Sequence, residues 1–244
     1  MVSNYTLSSL TQDTLYLPKV LPEVTVEEFE ARNILGLSID IGQRHLALYI
    51  EEFNKLDILS LCPCSHKYEK DGTCSRTFSR LLEKIENNGF CIFFDLFDSG
   101  PDIEQSFLNI TDYLDRHRYI FNLLSFIVIE DQMKVNTNAR RICQHIYSYF
   151  TFVYYNWKPI ILFPSSKKTM VLGCPRKEKK TSKRVRYKMI KEWSICHAKR
   201  ILENRKDIEY LNLFNELRKQ DDVSDCICQM QAFKVYAFYM NHEN

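Results

Sequence analysis

The segment Phe126-Ile-Val-Ile-Glu130 limits the fold of this chain more than any other. Four apolar residues in succession, three of them β-branched, end abruptly on a carboxylate. A short, continuously apolar strand is what a parallel sheet covered on both faces requires. The neighbouring pattern agrees. Over 34–41 the apolar residues Leu35, Leu37, Ile39 and Ile41 alternate with the period of a strand. A turn at Gly42-Gln43 leads into a second strand over 44–50, so the two form a hairpin. A third strand is expected at 90–96 and a further buried one at 159–163. Helical spacing of apolar residues predicts helices over 102–124 and 138–155, and a last one from Asp222 to about Met240. The order β-β-β-α-β-α-β-α describes a mixed α/β sheet covered by helices.

A chain of 244 residues, 45% apolar, holds one sizeable core with additions. Residues 1–33 are polar and weakly patterned and read as an N-terminal extension. The domain proper runs over 34–244, with 52–88 as an insertion. The sequence contains neither a GxGxxG nor a GxxxxGK[ST] phosphate loop, so nucleotide chemistry of those kinds has no support. No run of 18 apolar residues and no signal pattern is present, so neither membrane insertion nor secretion is expected. Nine irregularly spaced cysteines suit a reducing compartment, with Cys226 and Cys228 as packing residues. Cys62, Cys64, His66 and Cys74 include four side chains able to ligate structural Zn²⁺. Their Cys-x-Cys spacing is tighter than a standard knuckle, which favours ordinary thiols over zinc.

Charge is distributed unevenly. Between Ser165 and Arg200 lie 13 Lys/Arg and 2 acidic residues, whereas the rest of the chain carries 20 bases and 29 acids. A strongly basic segment on an otherwise acidic protein calls for a polyanionic partner.

Carboxylates stand where apolar elements end. Asp40 is near the end of the first strand, Glu130 closes the most hydrophobic one, and Asp222 and Asp225 share one face of the last helix. Each position has an ordinary reading as a turn former, a first polar residue or a helix cap. Together they suit hard, oxygen-loving Mg²⁺, and four such groups are enough to hold two ions about 4 Å apart around a phosphodiester. Asp221 adjoins Asp222, so the register of the third acid stays open, with Asp222 preferred.

Ser38-Ile-Asp40-Ile-Gly42, Ile127-Val-Ile-Glu130-Asp-Gln132 and Asp222-Val-Ser-Asp225 resemble the acidic motifs of RuvC-type Holliday-junction resolvases. The resolvases of poxviruses and other large cytoplasmic DNA viruses are the most similar, with those of yeast mitochondria as relatives. Phe163-Pro-Ser-Ser-Lys-Lys168-Thr-Met-Val-Leu-Gly173 and the Lys-rich stretch after it are similar to that family's DNA-binding segment. The resemblance covers about 34–239. It implies an RNase H-like sheet of the RuvC/integrase superfamily, with an antiparallel three-strand start, then parallel strands, and helices on both faces. It implies Mg²⁺, replaceable by Mn²⁺, on Asp40, Glu130, Asp222 and Asp225, and hydrolysis of four-way and other branched DNA. Lys167, Lys168, Lys179, Lys180, Lys183 and Arg184 would be the DNA contacts. A homodimer at a viral replication site in the cytoplasm, or in an organelle or nucleus, completes the expectation. Cleavage of RNA–DNA hybrids on the same fold, and a non-catalytic DNA-binding protein, are the rival readings.

Overall fold

The computed structural model describes residues 33–42, 44–61, 76–132, 136–154, 157–175 and 182–239. Five strands form one mixed sheet in the order β3-β2-β1-β4-β5: β1 (Asn33–Ile41), β2 (His45–Asn54), β3 (Phe90–Asp98), β4 (Phe126–Asp131) and β5 (Ile160–Pro164). β1, β2 and β3 are antiparallel to one another in turn, whereas β4 runs parallel to β1 and β5 parallel to β4. This is the RNase H-like arrangement the motifs imply.

Period-two alternation divides β1 and β4 between two cores. Leu35, Leu37, Ile39, Ile127 and Ile129 pack beneath α3 (Ile103–Arg116), α4 (Arg118–Phe121) and α5 (Thr137–Tyr154). Phe126 and Val128 face the opposite layer, as the alternation requires of Gly36, Ser38, Asp40 and Glu130. That layer contains α2 (Arg76–Asn87), α7 (Lys183–Arg205), α8 (Ile208–Glu216) and α9 (Gln220–Lys234). Gly36 is needed there: a Cβ on it would lie 2.3 Å from the ring of Phe126.

α9 is the helix closest to the sheet. From Asp222 to Lys234 every residue except Asp225 is buried, although eight of the fifteen residues of QDDVSDCICQMQAFK are polar or charged. Polar groups that would be costly to bury are hydrogen-bonded instead. The Gln229 amide donates to Ser38 Oγ, Ile39 O and Val128 O at 3.0, 3.2 and 3.4 Å, stitching the helix to β1 and β4 together. Further along, Lys234 and Gln231 meet Glu51.

Several elements differ from the sequence expectation. β2 runs on to Asn54 because Glu51, though charged, has buried partners, and α1 (Lys55–Leu59) follows it directly. Phe78, Leu81, Leu82 and Ile85 of α2 enter the core, so the described end of the stretch 52–88 is part of the domain body. The helix expected over 102–124 breaks at His117 into α3 and α4. The basic segment contains a short helix, α6 (Ser165–Val171), before α7, and α8 was not anticipated. Cys62, Cys64, His66 and Cys74 lie outside the described residues, as do residues 1–32 of the extension at 1–33, whose last residue Asn33 begins β1.

Candidate active site

Asp40 and Glu130 become neighbours by register. β1 pairs with β4 as Ile39 with Ile129, so the next residue on each strand points the same way and meets at the end of the parallel pair. Asp40 is 8% exposed. The third carboxylate comes from α9, which Gln229 holds over the same two strands one helical turn after Asp225.

A lysine occupies the centre of this group. Lys168 Nζ lies 3.0 Å from Asp225 Oδ1 and 3.4 Å from Glu130 Oε1. The side chain comes from α6, which begins immediately after β5, the strand beside β4. Lys168 is only 4% exposed, so its grouping with the surface DNA contacts is corrected: the burial of α6 against α9 turns it inward. Burial alone would favour its neutral form, but Asp225, Glu130 and Asp40 outweigh that and hold its ammonium charged beyond the usual lysine range.

The opposite imbalance affects Asp40. Burial, then the charges of Glu130 and Asp225, push its carboxyl well above the ordinary range, with Lys168 pulling the other way. Three ionised carboxylates and one ammonium would leave a net −2 in a buried site. The raised pKa of Asp40 reflects this excess of negative charge, which a divalent cation would relieve fully.

Asp222 is 6% exposed and lies one turn before Asp225 on α9. Its Oδ2 is 3.9 Å from where a Cβ on Gly42 would stand, next to the β1–β2 turn, and Lys219 pairs with it. Asp221 points elsewhere, to Lys191 of α7. Ser194 of α7 was absent from the sequence reading; its hydroxyl donates to Asp225 Oδ1 at 2.6 Å. Among the described residues no three acidic, His or Cys side chains form a ready-made metal cage. Lys168 bridges Glu130 to Asp225, and Asp222 is bound to Lys219.

The N-terminal part of α7, the helix that carries Ser194, is exposed and basic. Lys183 and Arg184 begin a run of exposed residues on α7 that continues through Lys188. Lys167 lies over the ring of Tyr236 at 3.7 Å. Lys179 and Lys180 lie outside the described residues. Among the described residues no helix is long and apolar enough to cross a membrane.

No protein-family model matches the chain. It is 32% identical over 152 residues to "Uncharacterized protein 170L" of Invertebrate iridescent virus 6, covering 57% of this chain and 62% of that protein. It is 25% identical over 127 residues to "Uncharacterized protein 97L" of Invertebrate iridescent virus 3, covering 52% and 56%. The chain thus spans less than two thirds of the length of the curated relatives it matches. Among solved structures, it is similar to the fowlpox virus resolvase in complex with its substrate Holliday junction DNA. That match has a TM-score of 0.47 and 15% identity, over 83% of this chain and 98% of the other. It is also similar to Thermus thermophilus RuvC, with a TM-score of 0.44 and 11% identity over 86% and 97%.

Proposed function

We propose that the protein is a metal-dependent endonuclease that resolves four-way and other branched DNA. The observation that carries this reading is the meeting of Asp40, Glu130 and Asp225 around Lys168, beside an exposed basic helix. The donor set fits the implied cation: the groups are all hard oxygens, and their charge exceeds what Lys168 neutralises. Asp40, Glu130 and Asp225 would hold Mg²⁺, with Asp222, one turn before Asp225 on α9, as the fourth acid. The burial of Asp222 beside Gly42 favours it over Asp221 as the third acid of the motif. Bound there, Mg²⁺ supplies Lewis acidity to a water and to the scissile phosphate.

The residues of the chain do the rest. Lys168 keeps a fixed positive charge next to the carboxylates and offsets part of the negative charge that a phosphodiester would meet there. The exposed half of α7 offers Lys183, Arg184 and Lys188 to the flanking backbone, while Lys167 stands on α6 over the ring of Tyr236. The preference for four-way DNA rests on the resemblance of the three acidic motifs, and the two iridovirus relatives support a viral setting. A two-fold junction suits a homodimer, whose two sites would cut opposing strands.

The direct test is cleavage of a synthetic four-way junction and of an RNA–DNA hybrid of equal length, each with Mg²⁺ or EDTA. Mg²⁺-dependent, symmetric cuts in the junction are expected; selective cutting of the hybrid would favour the rival. Neutralising Lys183 and Arg184 to Gln should weaken junction binding and leave the melting temperature unchanged. Each lost phosphate contact should flatten the plot of log affinity against log salt by about 0.9. An unchanged slope would place the DNA elsewhere.

A further inference from the structure

Ser194 is fully buried in the middle of α7, at the point where the exposed basic half of that helix gives way to its core half. A buried hydroxyl in a helix has an easy local acceptor, the carbonyl four residues earlier. Ser106, Thr111, Thr151 and Ser224 of this protein all use it, bonding to the carbonyls of Asp102, Phe107, Tyr147 and Gln220. Ser194 does not. Its hydroxyl reaches across to α9 and donates to Asp225 Oδ1 at 2.6 Å, a charge-assisted geometry.

The bond is selective between the two oxygens. Lys168 also approaches Oδ1, at 3.0 Å, so both contacts saturate the same atom. Among the described residues Oδ2 is left without a partner, and the side chain keeps 21% exposure. An aspartate fixed through one oxygen with the other presented outward is how a metal ligand is oriented by its supporting shell.

We propose that Ser194 is the positioning residue for Asp225: it fixes the carboxylate rotamer so that Oδ2 meets a divalent cation. This rests on the reading of Asp225 as a cation ligand. It also ties the cation site to the helix that carries Lys183 and Arg184. Removing the hydroxyl leaves Asp225 attached to Lys168 alone and free to turn, so the cation must order it on binding.

The test compares Ser194→Ala and Ser194→Cys with wild type and with Ser224→Ala, a buried hydroxyl whose bonds stay within α9. Mn²⁺ binding without DNA is followed by electron paramagnetic resonance, and the Mg²⁺ half-saturation of junction cleavage is measured in parallel. The Ser194 variants should weaken both by about 10- to 100-fold. Cleavage at saturating Mg²⁺ and junction affinity in EDTA should stay within about threefold of wild type, and Ser224→Ala should match wild type throughout. Wild-type cation affinity in a folded Ser194 variant would overturn the proposal. Failure of both Ser194 variants to fold would also overturn it, in favour of a purely structural bond. Wild-type protein that neither binds Mn²⁺ nor cuts would instead overturn the metal-site reading beneath it.

Discussion

Asp40→Asn is expected to bind four-way junctions at least as tightly as wild type and to lose cleavage by roughly a thousandfold or more. That is the scale on which one preorganised electrostatic group acts. Asn keeps the size and hydrogen-bonding capacity of the side chain and removes its charge. Cation affinity falls because Mg²⁺ surrenders water only to anionic ligands. DNA affinity holds or rises because a negative charge facing the phosphate is gone. Glu130→Gln should behave in the same way. A stability measurement separates this from simple damage. The folded pKa of Asp40 is raised, so its contribution is favourable at low pH and turns unfavourable as pH rises through that value. Asp40→Asn should therefore melt no lower than wild type at pH 7 in EDTA. Saturating Mg²⁺ should stabilise wild type by about 2.7 kcal/mol at a hundredfold excess over its dissociation constant, and it should do little for the variant. Turnover near the wild-type rate by Asp40→Asn would sink the nuclease reading and revive the non-catalytic one.

The strand assignments were legible because their signals are local. Leu35, Leu37, Ile39 and Ile41 alternate, and the run at Phe126 is short, continuous and β-branched, so β1 follows from side-chain period and β4 from that run. Asp40 and Glu130 stood out for the same reason, as charges closing apolar strands. Lys168 could not be separated from the basic run around it, because sequence gives no sign that α6 turns this one lysine into the carboxylates. Ser194 carries no signal at all; its partner is 31 residues away on another helix. α9 illustrates the general limit. The sequence shows a last helix carrying apolar groups, yet twelve of its fifteen residues are buried, polar ones among them. Burial there depends on Gln229, Gln231 and Lys234 finding acceptors on β1, β2 and β4, and those matches exist only in three dimensions.

The largest stability effect is expected away from the candidate site, at Glu51. Its carboxylate is wholly buried and meets Arg205 through both oxygens at 3.0 Å, Lys234 at 2.6 Å, Gln231 at 2.6 Å and Tyr49 at 2.8 Å. Burial pushes its pKa up, but Arg205 and then Lys234 prevail and bring it to about 2. Lys234 is lowered to about 8, by burial first and by Arg205, with Glu51 opposing both. Arg205 is thus the firm partner of Glu51, and Lys234 is the strained one. Glu51→Gln preserves shape but leaves two buried cations without a counter-charge, a change that costs about 3–5 kcal/mol. At about 2–4 °C per kcal/mol for a domain of this size, the melting temperature should fall by roughly 6–20 °C at pH 7. The dependence on pH follows from the direction of the shift. The depressed folded pKa means that Glu51 stabilises fully above its unfolded value near 4.5 and loses that contribution as pH falls toward about 2. Wild type and Glu51→Gln should therefore differ most near neutrality and converge in strong acid, as followed by urea denaturation across that window. A difference below about 1 kcal/mol at pH 7, the range of an exposed pair, would mean that water reaches Arg205 and Lys234 and that the cluster is not sealed.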